Sequence, residues 1–597
     1  MKKTIYLYLS LVLVGLLSSC ENALDTKTDN SYGDEITWKL PDYALGVLNQ
    51  AYFNIPTAPN SWSSDFLDVA TDNAICNNRT SDLYNYGQGG ISAYSNPFDN
   101  WTVAYKQIQY VNIFMERGLT GKINYNIAND ALNKSIRLRS KGEAYFLRAW
   151  WELDLLQRFG GIATTGEALG YTIITKSLTD ANKDSVAQLP RNSYEACVLQ
   201  IIADCDSAIV YLPLAYTGAD ANLGTTQEGR ASAKAAYALK SRVALFAASP
   251  AYQPTSSYAV STDSVGKKWN RAVLFAQKAI TTGALGAYTA LTEAMYVGTG
   301  VQGATNAEFL FRKWFSNNAM EKANFPPMFY GLARTNPSQN LIDAYPLKNG
   351  FPIADSRSGY DPQNPYIDRD SRFDLTVFYN QKNFNTQRLL EIFVTEQGNK
   401  GQDVAGFDYL NTATGYYLKK FMSPKKDMLY AGVVGAQSDF HQYPLLRRAE
   451  VYFNLAEALN ELVGPKGLVP GSTLSAYDII KDVRSKNAIT STTYLDEVAA
   501  LGKDAFRALI LNERRLEFAF ENQRFFDLRR QKLPLNEAIR GVQITKTPTS
   551  FVYVGTNPNA AGVIVENRKL NHDKFYYAPI PYNEMAKHPN FVQNKGW

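Results

Sequence analysis

From Asp504 to Gln531 the chain reads DAFRALILNERRLEFAFENQRFFDLRRQ, and few folds can house such a stretch. Phe506, Leu509, Ile510, Leu516 and Phe520 recur at three- and four-residue spacing, the period of a helix buried along one side. Most of its polar positions are charged and of mixed sign: Glu513, Arg514, Arg515, Glu517, Glu521, Arg524, Asp527, Arg529 and Arg530. Arg514/Glu517, Glu521/Arg524 and Arg524/Asp527 lie three apart and are expected to share helix faces. Neither Gly nor Pro interrupts the run before Pro534. Paired carboxylates of this kind can serve acid–base catalysis. The mixed signs favour another reading, an ion-pair lattice that fixes one helix against its neighbours.

The rest of the chain is rich in helical patterns. Lys141–Phe159 carries the stripe Ala144, Leu147, Trp151 and Leu155, with Gly160 and Gly161 as a C-terminal cap. Helices are also predicted over Trp38–Ala51, Phe98–Gly118, Tyr194–Leu212, Gly229–Ser249, Trp269–Thr282, Leu446–Val463 and Thr473–Lys486, the last with Ser472 as its N-cap. Trp101 and Trp269 fall inside these patterns and are assigned to packing. Between Leu285 and Pro444 the periodicity fades, and short runs such as Leu375–Tyr379 read as strands among loops. The tail from Gly541 reads as mostly irregular. Successive helix pairs with Ala and aromatic faces point to tetratricopeptide-like stacking, although no clean 34-residue period is present. The fold class is therefore mainly α, a helical scaffold with a loop-rich mixed segment packed on it.

Met1–Ser19 has the form of an export signal, with Lys2 and Lys3 before the apolar run Ile5–Leu17. That run is too short to span a membrane. Loss of both lysines takes the net charge from +5 to about +3, which gives no footprint for nucleic acid. Cys197 and Cys205, eight apart on one predicted helix, are separated by about 12 Å of rise, too far for a disulfide. Cys76 adds neither a disulfide framework nor a zinc site.

The order of residues in ERRLEFAFENQRFFDLRR resembles the C-terminal signature of the SusD/RagB family of outer-membrane lipoproteins. The same resemblance extends to GEAYFLRAWWELDLLQRFGG, PSQNLIDAYPLKNG, DRDSRFDLTVFY, TGYYLKKF, RRAEVYFNLAEALN and APIPYNEMAKHPNFVQNKGW. Leu17-Ser18-Ser19-Cys20 resembles a lipobox, which implies lipidation at Cys20 after removal of residues 1–19. The family form implies a right-handed tetratricopeptide-like scaffold, an N-terminal region over 20–284 and a C-terminal region over 285–597. The latter divides into a loop-rich part (285–445), helices (446–540) and the tail (541–597). It further implies a protein facing the cell exterior that captures an oligosaccharide and delivers it to a SusC-like TonB-dependent transporter. Peptide capture, as in RagB-like members, is the alternative within the family. A glycan-degrading enzyme and a scaffold that binds only protein are the alternatives outside it.

No catalytic constellation emerges from the residues. Gly298, Gly300 and Gly303 match G-x-G-x-x-G without the βαβ unit that a dinucleotide site needs. Asp368, Asp370 and Asp374 are interleaved with Arg369 and Arg372, so ion pairing accounts for them better than a cation site. His441, His572 and His588 are scattered. Glu450, Glu457 and Glu461 share one helix face and are expected to be solvated or paired, whereas a glycosidase needs carboxylates opposed across a cleft. No metal and no cofactor is expected. The aromatic loops are the remaining resource. Trp62, Tyr84, Tyr86 and Tyr94 precede the Trp101 helix, and Trp314, Phe315, Phe325, Phe329 and Tyr330 lie in RKWFSNNAMEKANFPPMFYG. Flat aromatic faces suit sugar rings, with nearby Asn, Arg and Gln taking hydroxyls. The family resemblance implies ligand contacts from these two regions. Trp314, Phe315, Tyr84, Tyr86, Trp62, Phe329 and Tyr330 are the nominated ligand residues.

Overall fold

The computed structural model describes residues 34–253, 264–298, 306–384, 388–405, 410–423 and 438–597. The signal segment, Cys20, Gly300 and Gly303 lie outside the described residues. The helical patterns become a stack in which each long helix packs on the next. The order runs Pro41–Phe53, Trp101–Ile113, Asp130–Phe159, Tyr194–Tyr211, Ala233–Ala248, Ser264–Thr281 and Arg448–Val463. The last of these packs on Ala476–Lys486 and on Lys503–Glu517. Contacts between successive helices are the signature of a repeat-like stack. Alanines allow the close approach: Ala235, Ala236, Ala244 and Ala247 of one helix and Ala272, Ala276 and Ala279 of the next are all buried. Trp151 and Trp269 are buried among them, as is Trp101.

Several boundaries differ from the sequence expectation. The helix expected from Lys141 begins at Asp130, because the Asn129 side chain caps Leu132 N–H at 3.0 Å. The cap expected at Ser472 falls to Ser475, which forms a reciprocal capping box with Asp478. The C-terminal end falls where expected, with Gly160 as the cap at an ordinary φ of −66° and its N–H donated to the Leu156 carbonyl. The tail is not irregular throughout: Ile539–Gly541 pairs with Val563–Glu566, and Gln543–Lys546 pairs with Phe551–Val554. Cys76, Cys197 and Cys205 are free and buried.

The stretch 504–531 is two helices, Lys503–Glu517 and Arg524–Arg530, not one. Between them Phe520 and Asn522 adopt left-handed backbone at φ 61° and 64°. Such backbone is costly for a phenylalanine. Tertiary hydrogen bonds offset it. Asp68 Oδ1 accepts Phe520 N–H at 3.1 Å, Asn522 Oδ1 accepts Leu67 N–H at 2.8 Å, and Asn522 Nδ2 donates to the Pro59 carbonyl at 2.8 Å. The turn serves two cores at once. Phe506, Leu509, Ile510 and Phe518 belong to the core of the helical stack. Leu516, Ala519, Phe520 and Phe525 belong to a second core built from Phe66, Tyr345, Phe373, Tyr416 and other residues of the loop-rich part.

The charges of this stretch form a buried lattice, but not with the partners that helical spacing implies. Arg514/Glu517, Glu521/Arg524 and Arg524/Asp527 form no salt bridge. Glu513 instead meets Arg372 at 2.5 Å and Arg484 at 2.7 Å. Glu521 meets Arg447 at 2.8 Å and Lys420 at 2.7 Å. Asp527 holds Arg514 at 2.9 Å and Arg530 at 2.8 Å, while Arg524 reaches Asp72 at 2.9 Å. Burial pushes the Glu513 and Asp527 carboxyls up, yet the adjacent guanidiniums more than reverse this and hold both below the ordinary range. Glu450, Glu457 and Glu461 are likewise buried and paired, with Arg242 (2.6 Å), Arg530 (2.5 Å) and Arg507 (2.5 Å). Asp370 pairs with Arg372 at 2.6 Å, and Asp374 with Lys382 at 2.8 Å. Arg369 donates to the Pro365 and Tyr345 carbonyls at 2.7 and 2.8 Å and to none of the three aspartates.

Candidate functional site

Two chain segments 260 positions apart meet at one short antiparallel ladder. Ala74–Cys76 pairs with Thr335–Pro337, with Cys76 opposite Thr335. Asn77 N–H continues the ladder to the Arg334 carbonyl at 3.0 Å, and Asn77 Nδ2 donates to the Leu332 carbonyl at 2.9 Å. The chain then turns outward. Asn78 Oδ1 accepts from Thr80 N–H at 3.0 Å and Thr80 Oγ1 at 2.8 Å, an Asx turn that presents Arg79 to solvent. Arg79 Nη1 donates to the Tyr84 hydroxyl at 2.7 Å, and its guanidinium lies 5.5 Å from the centre of that ring.

Below this turn opens a groove of about 580 Å³, lined by Asn77, Asn78, Arg79, Leu332, Arg334 and Leu410 with Ile75, Cys76 and Ala413. Its volume lies in the range that small-molecule ligands occupy. The base is rigid: Arg334 pairs with the buried Asp65 at 2.5 Å, and Ser81 Oγ donates to the same carboxylate. The Cys76 thiol is pushed up to about 12, chiefly by burial and then by Asp65, and is no nucleophile there. Among the described residues Asn78 Nδ2 has no hydrogen-bond partner, and the Arg79 side chain donates to Tyr84 alone. The groove thus pairs hydrogen-bond donors at its rim with an apolar wall at Leu332, which is 50% exposed. Among the described residues, no carboxylate and no histidine lines it.

The nominated aromatic residues distribute over several places. Tyr84 stands beside the groove through Arg79. Tyr330, 59% exposed and in left-handed backbone at φ 63°, lies two residues before Leu332. Phe329 is half-buried, stacked on Phe384 at 3.8 Å with the Arg388 guanidinium 4.9 Å from its ring. Tyr86 is a correction. It is buried in the second core, its ring 4.9 Å from Phe98 and its hydroxyl bonded to Arg529. Tyr84 and Tyr86 lie not on a loop but on a short helix, Asp82–Gly87, whose inner face carries Leu83 and Tyr86. Phe325 is also core.

Trp314 and Phe315 sit on a nine-residue strand, Phe309–Asn317, paired with Asp439–Arg447. Alternation sends them to opposite faces. Trp314 is 46% exposed with its ring 5.9 Å from Phe440. Phe315 stacks on the buried His441 at 4.7 Å, and His441 Nε2 is 2.8 Å from Glu321. Trp62 lies beneath Arg158, 4.2 Å from its guanidinium, at a separate cleft shared with Gln157 and Gln523. Tyr94 stacks on Tyr582 at 4.2 Å. The residues that sequence reasoning missed are Asn77, Asn78, Arg79, Leu332 and Arg334. The polar turn Asn77-Asn78-Arg79-Thr80 directly after the apolar Ala74–Cys76 was a usable signal.

Residues 307–597 match the model of the SusD family, and residues 24–245 match a model described as starch-binding associating with outer membrane. SusD-like protein P38 of Formosa agariphila is 22% identical over 527 residues, covering 87% of this chain and 90% of that protein. A SusD-like protein of Bacteroides fragilis of known structure shares 23% identity at a TM-score of 0.68, over 94% of this chain and 98% of the other. A laminarin-binding SusD-like protein aligns at a TM-score of 0.54 with 18% identity, over 93% and 99% of the two chains. No helix among the described residues is long and apolar enough to cross a membrane. The two family models together span most of the chain and the fold matches at full length: this chain belongs to the SusD/RagB family.

Proposed function

We propose that the protein is a lipid-anchored binding protein of the outer-membrane surface that captures an oligosaccharide and delivers it to a SusC-like TonB-dependent transporter. The groove between the Asn77–Arg79 turn and Leu332 carries this reading, in a chain whose family relatives include a laminarin-binding protein. A sugar in the groove lays an apolar ring face on Leu332, while Asn78 Nδ2 and the Arg79 guanidinium take hydroxyls. The described lining residues include no carboxylate and no histidine, which favours binding without hydrolysis. Delivery requires only that affinity differ between the free and transporter-docked protein. Cys20 supplies the anchor, which holds a soluble domain at a membrane without spanning it.

The test is titration calorimetry of the purified protein against a panel of neutral oligosaccharides, with a peptide array beside it. Arg79→Ala is expected to weaken the glycan that binds at least tenfold, about 1.4 kcal/mol, without lowering the melting temperature. Binding of peptides and of no glycan, or glycan affinity indifferent to Arg79→Ala, overturns the reading.

A further inference from the structure

A second pocket, of about 480 Å³, opens where the C-terminal segment crosses the Gly161–Ile162 strand, and it shares no residue with the groove. Lys532, Lys574 and Lys595 line it with Asp573 and Tyr576, three ammonium groups to one carboxylate. None of the three lysines forms a salt bridge among the described residues. Three other lysines do so: Lys183 with Asp180 at 2.9 Å, Lys466 with Asp496 at 2.9 Å, Lys587 with Glu584 at 2.8 Å. The backbones that carry the three lysines are tied in place. Lys595 N–H donates to the Ile162 carbonyl at 2.8 Å. Trp597 Nε1 donates to the Lys574 carbonyl at 3.1 Å, and the Tyr576 hydroxyl donates to the Lys532 carbonyl at 3.2 Å. The Lys574 ammonium is further held 4.3 Å from the Trp597 ring centre.

Three like charges on fixed backbone around one concave space repel one another, and the concavity concentrates their field. A bound anion removes that repulsion. Ammonium groups act here as compact point charges, which suits a sulfate or carboxylate approached from several sides. We propose that this pocket binds an oxyanion, the sulfate ester of a sulfated saccharide. The saccharide part rests on the glycan-binding reading given above; the oxyanion part stands on the pocket alone. The pocket then acts as a second site, which selects sulfated over unsulfated glycans. Its affinity falls as ionic strength rises, because exposed charges are screened.

Three probes test it: sodium sulfate in thermal shift at fixed ionic strength, and a heparin-derived tetrasaccharide and its desulfated counterpart in calorimetry. Expected are a stabilising shift with sulfate and binding of the sulfated tetrasaccharide at least tenfold tighter than of the desulfated one. Both should be lost in Lys574→Gln/Lys595→Gln, and weakened in Lys532→Gln, with the melting temperature without ligand no lower than that of the wild type. Arg79→Ala should leave both intact, which separates failure of the groove from failure of the pocket. Equal affinity for the two tetrasaccharides, binding indifferent to the lysine substitutions, or no response to any probe overturns the proposal. A sulfate shift that the substitutions abolish, with no tetrasaccharide binding, overturns its saccharide part.

Discussion

Arg447 Nη2 lies 2.6 Å from Glu517 Oε1, so the last residue of the Asp439–Arg447 strand is bonded to the last residue of the Lys503–Glu517 helix. The same guanidinium reaches Glu521 at 2.8 Å and Glu308 at 3.1 Å, and all four side chains are buried. One cation thereby joins the long ribbon, the central helix and the turn that bridges the two cores. Removal of one partner from a buried pair leaves a desolvated charge behind, typically at a cost of 3–5 kcal/mol, roughly. Arg447→Ala is expected to lower unfolding free energy by about that amount in urea denaturation. A loss below about 1 kcal/mol would mean that water reaches the lattice.

Glu521 distinguishes the spacing-based pairing from the observed one. Helical spacing assigns it to Arg524, whereas the structure gives Arg524 to Asp72 and Glu521 to Arg447 and Lys420. In a double-mutant cycle, Glu521→Gln should couple with Lys420→Met by about 1 kcal/mol or more and show no coupling with Arg524→Met. Coupling to Arg524 alone would restore the spacing-based assignment.

Glu308 gives stability a pH dependence of definite sign. Burial raises its carboxyl from 4.5 to about 7 despite Arg447. Between those values the folded state binds the proton more tightly than the unfolded chain, so stability falls as pH rises from 4.5 to about 7 and then levels. Glu152, buried and raised well above 4.5 first by burial and then by Asp204, adds in the same direction. Glu513 and Asp527 act oppositely. Their carboxyls are held low, so the stability they contribute is present above the unfolded values of 4.5 and 3.8 and is lost as pH falls below them. Glu308→Gln should be close to neutral at pH 5 and stabilising relative to wild type at pH 8, by a few kcal/mol at most. Melting temperatures at the two pH values check this; a gap between variant and wild type that does not widen with pH would rule it out.

Membrane attachment depends on one residue in this account. Cys20 follows Leu17-Ser18-Ser19, and its replacement by Ala removes the thiol on which the proposed anchor is built. Cys20→Ala should shift the protein from the membrane to the soluble fraction and abolish labelling by a palmitate analogue. Retained labelling would place the anchor elsewhere.

The long helices were legible because their apolar stripes persist over several turns and are ended by Gly or Pro, as at Gly464-Pro465. The break at Phe520–Asn522 was not, since its cause is Asp68, Leu67 and Pro59, more than 450 positions away. Ion-pair partners failed for the same reason: helical spacing reports only neighbours on one helix, and Arg372, Arg447 and Lys420 arrive from other segments. The nominated aromatic loops included Tyr84 and Tyr330 near the groove. The groove itself depends on the pairing of Ala74–Cys76 with Thr335–Pro337, which no local pattern encodes.

Tyr84 and Tyr86 stand two residues apart on the short Asp82–Gly87 helix and are predicted to behave oppositely. Two residues advance a helix by just over half a turn, so one ring faces Arg79 and the other faces Phe98 and Phe525. Tyr86 is 1% exposed, and truncation of a ring of that size in a packed core costs roughly 3–5 kcal/mol. Tyr86→Ala should therefore lower the melting temperature sharply. Tyr84→Ala should barely alter it, but should weaken the glycan bound in the groove severalfold, because Arg79 loses the hydroxyl bond at 2.7 Å that orients it. Trp314→Ala, on the separate ribbon, should change neither stability nor groove affinity much. Calorimetry and melting curves on the three variants decide among the placements. If Trp314→Ala alone removes binding, the ligand lies on the Trp314–Phe440 patch and the groove at Arg79 is not the capture site.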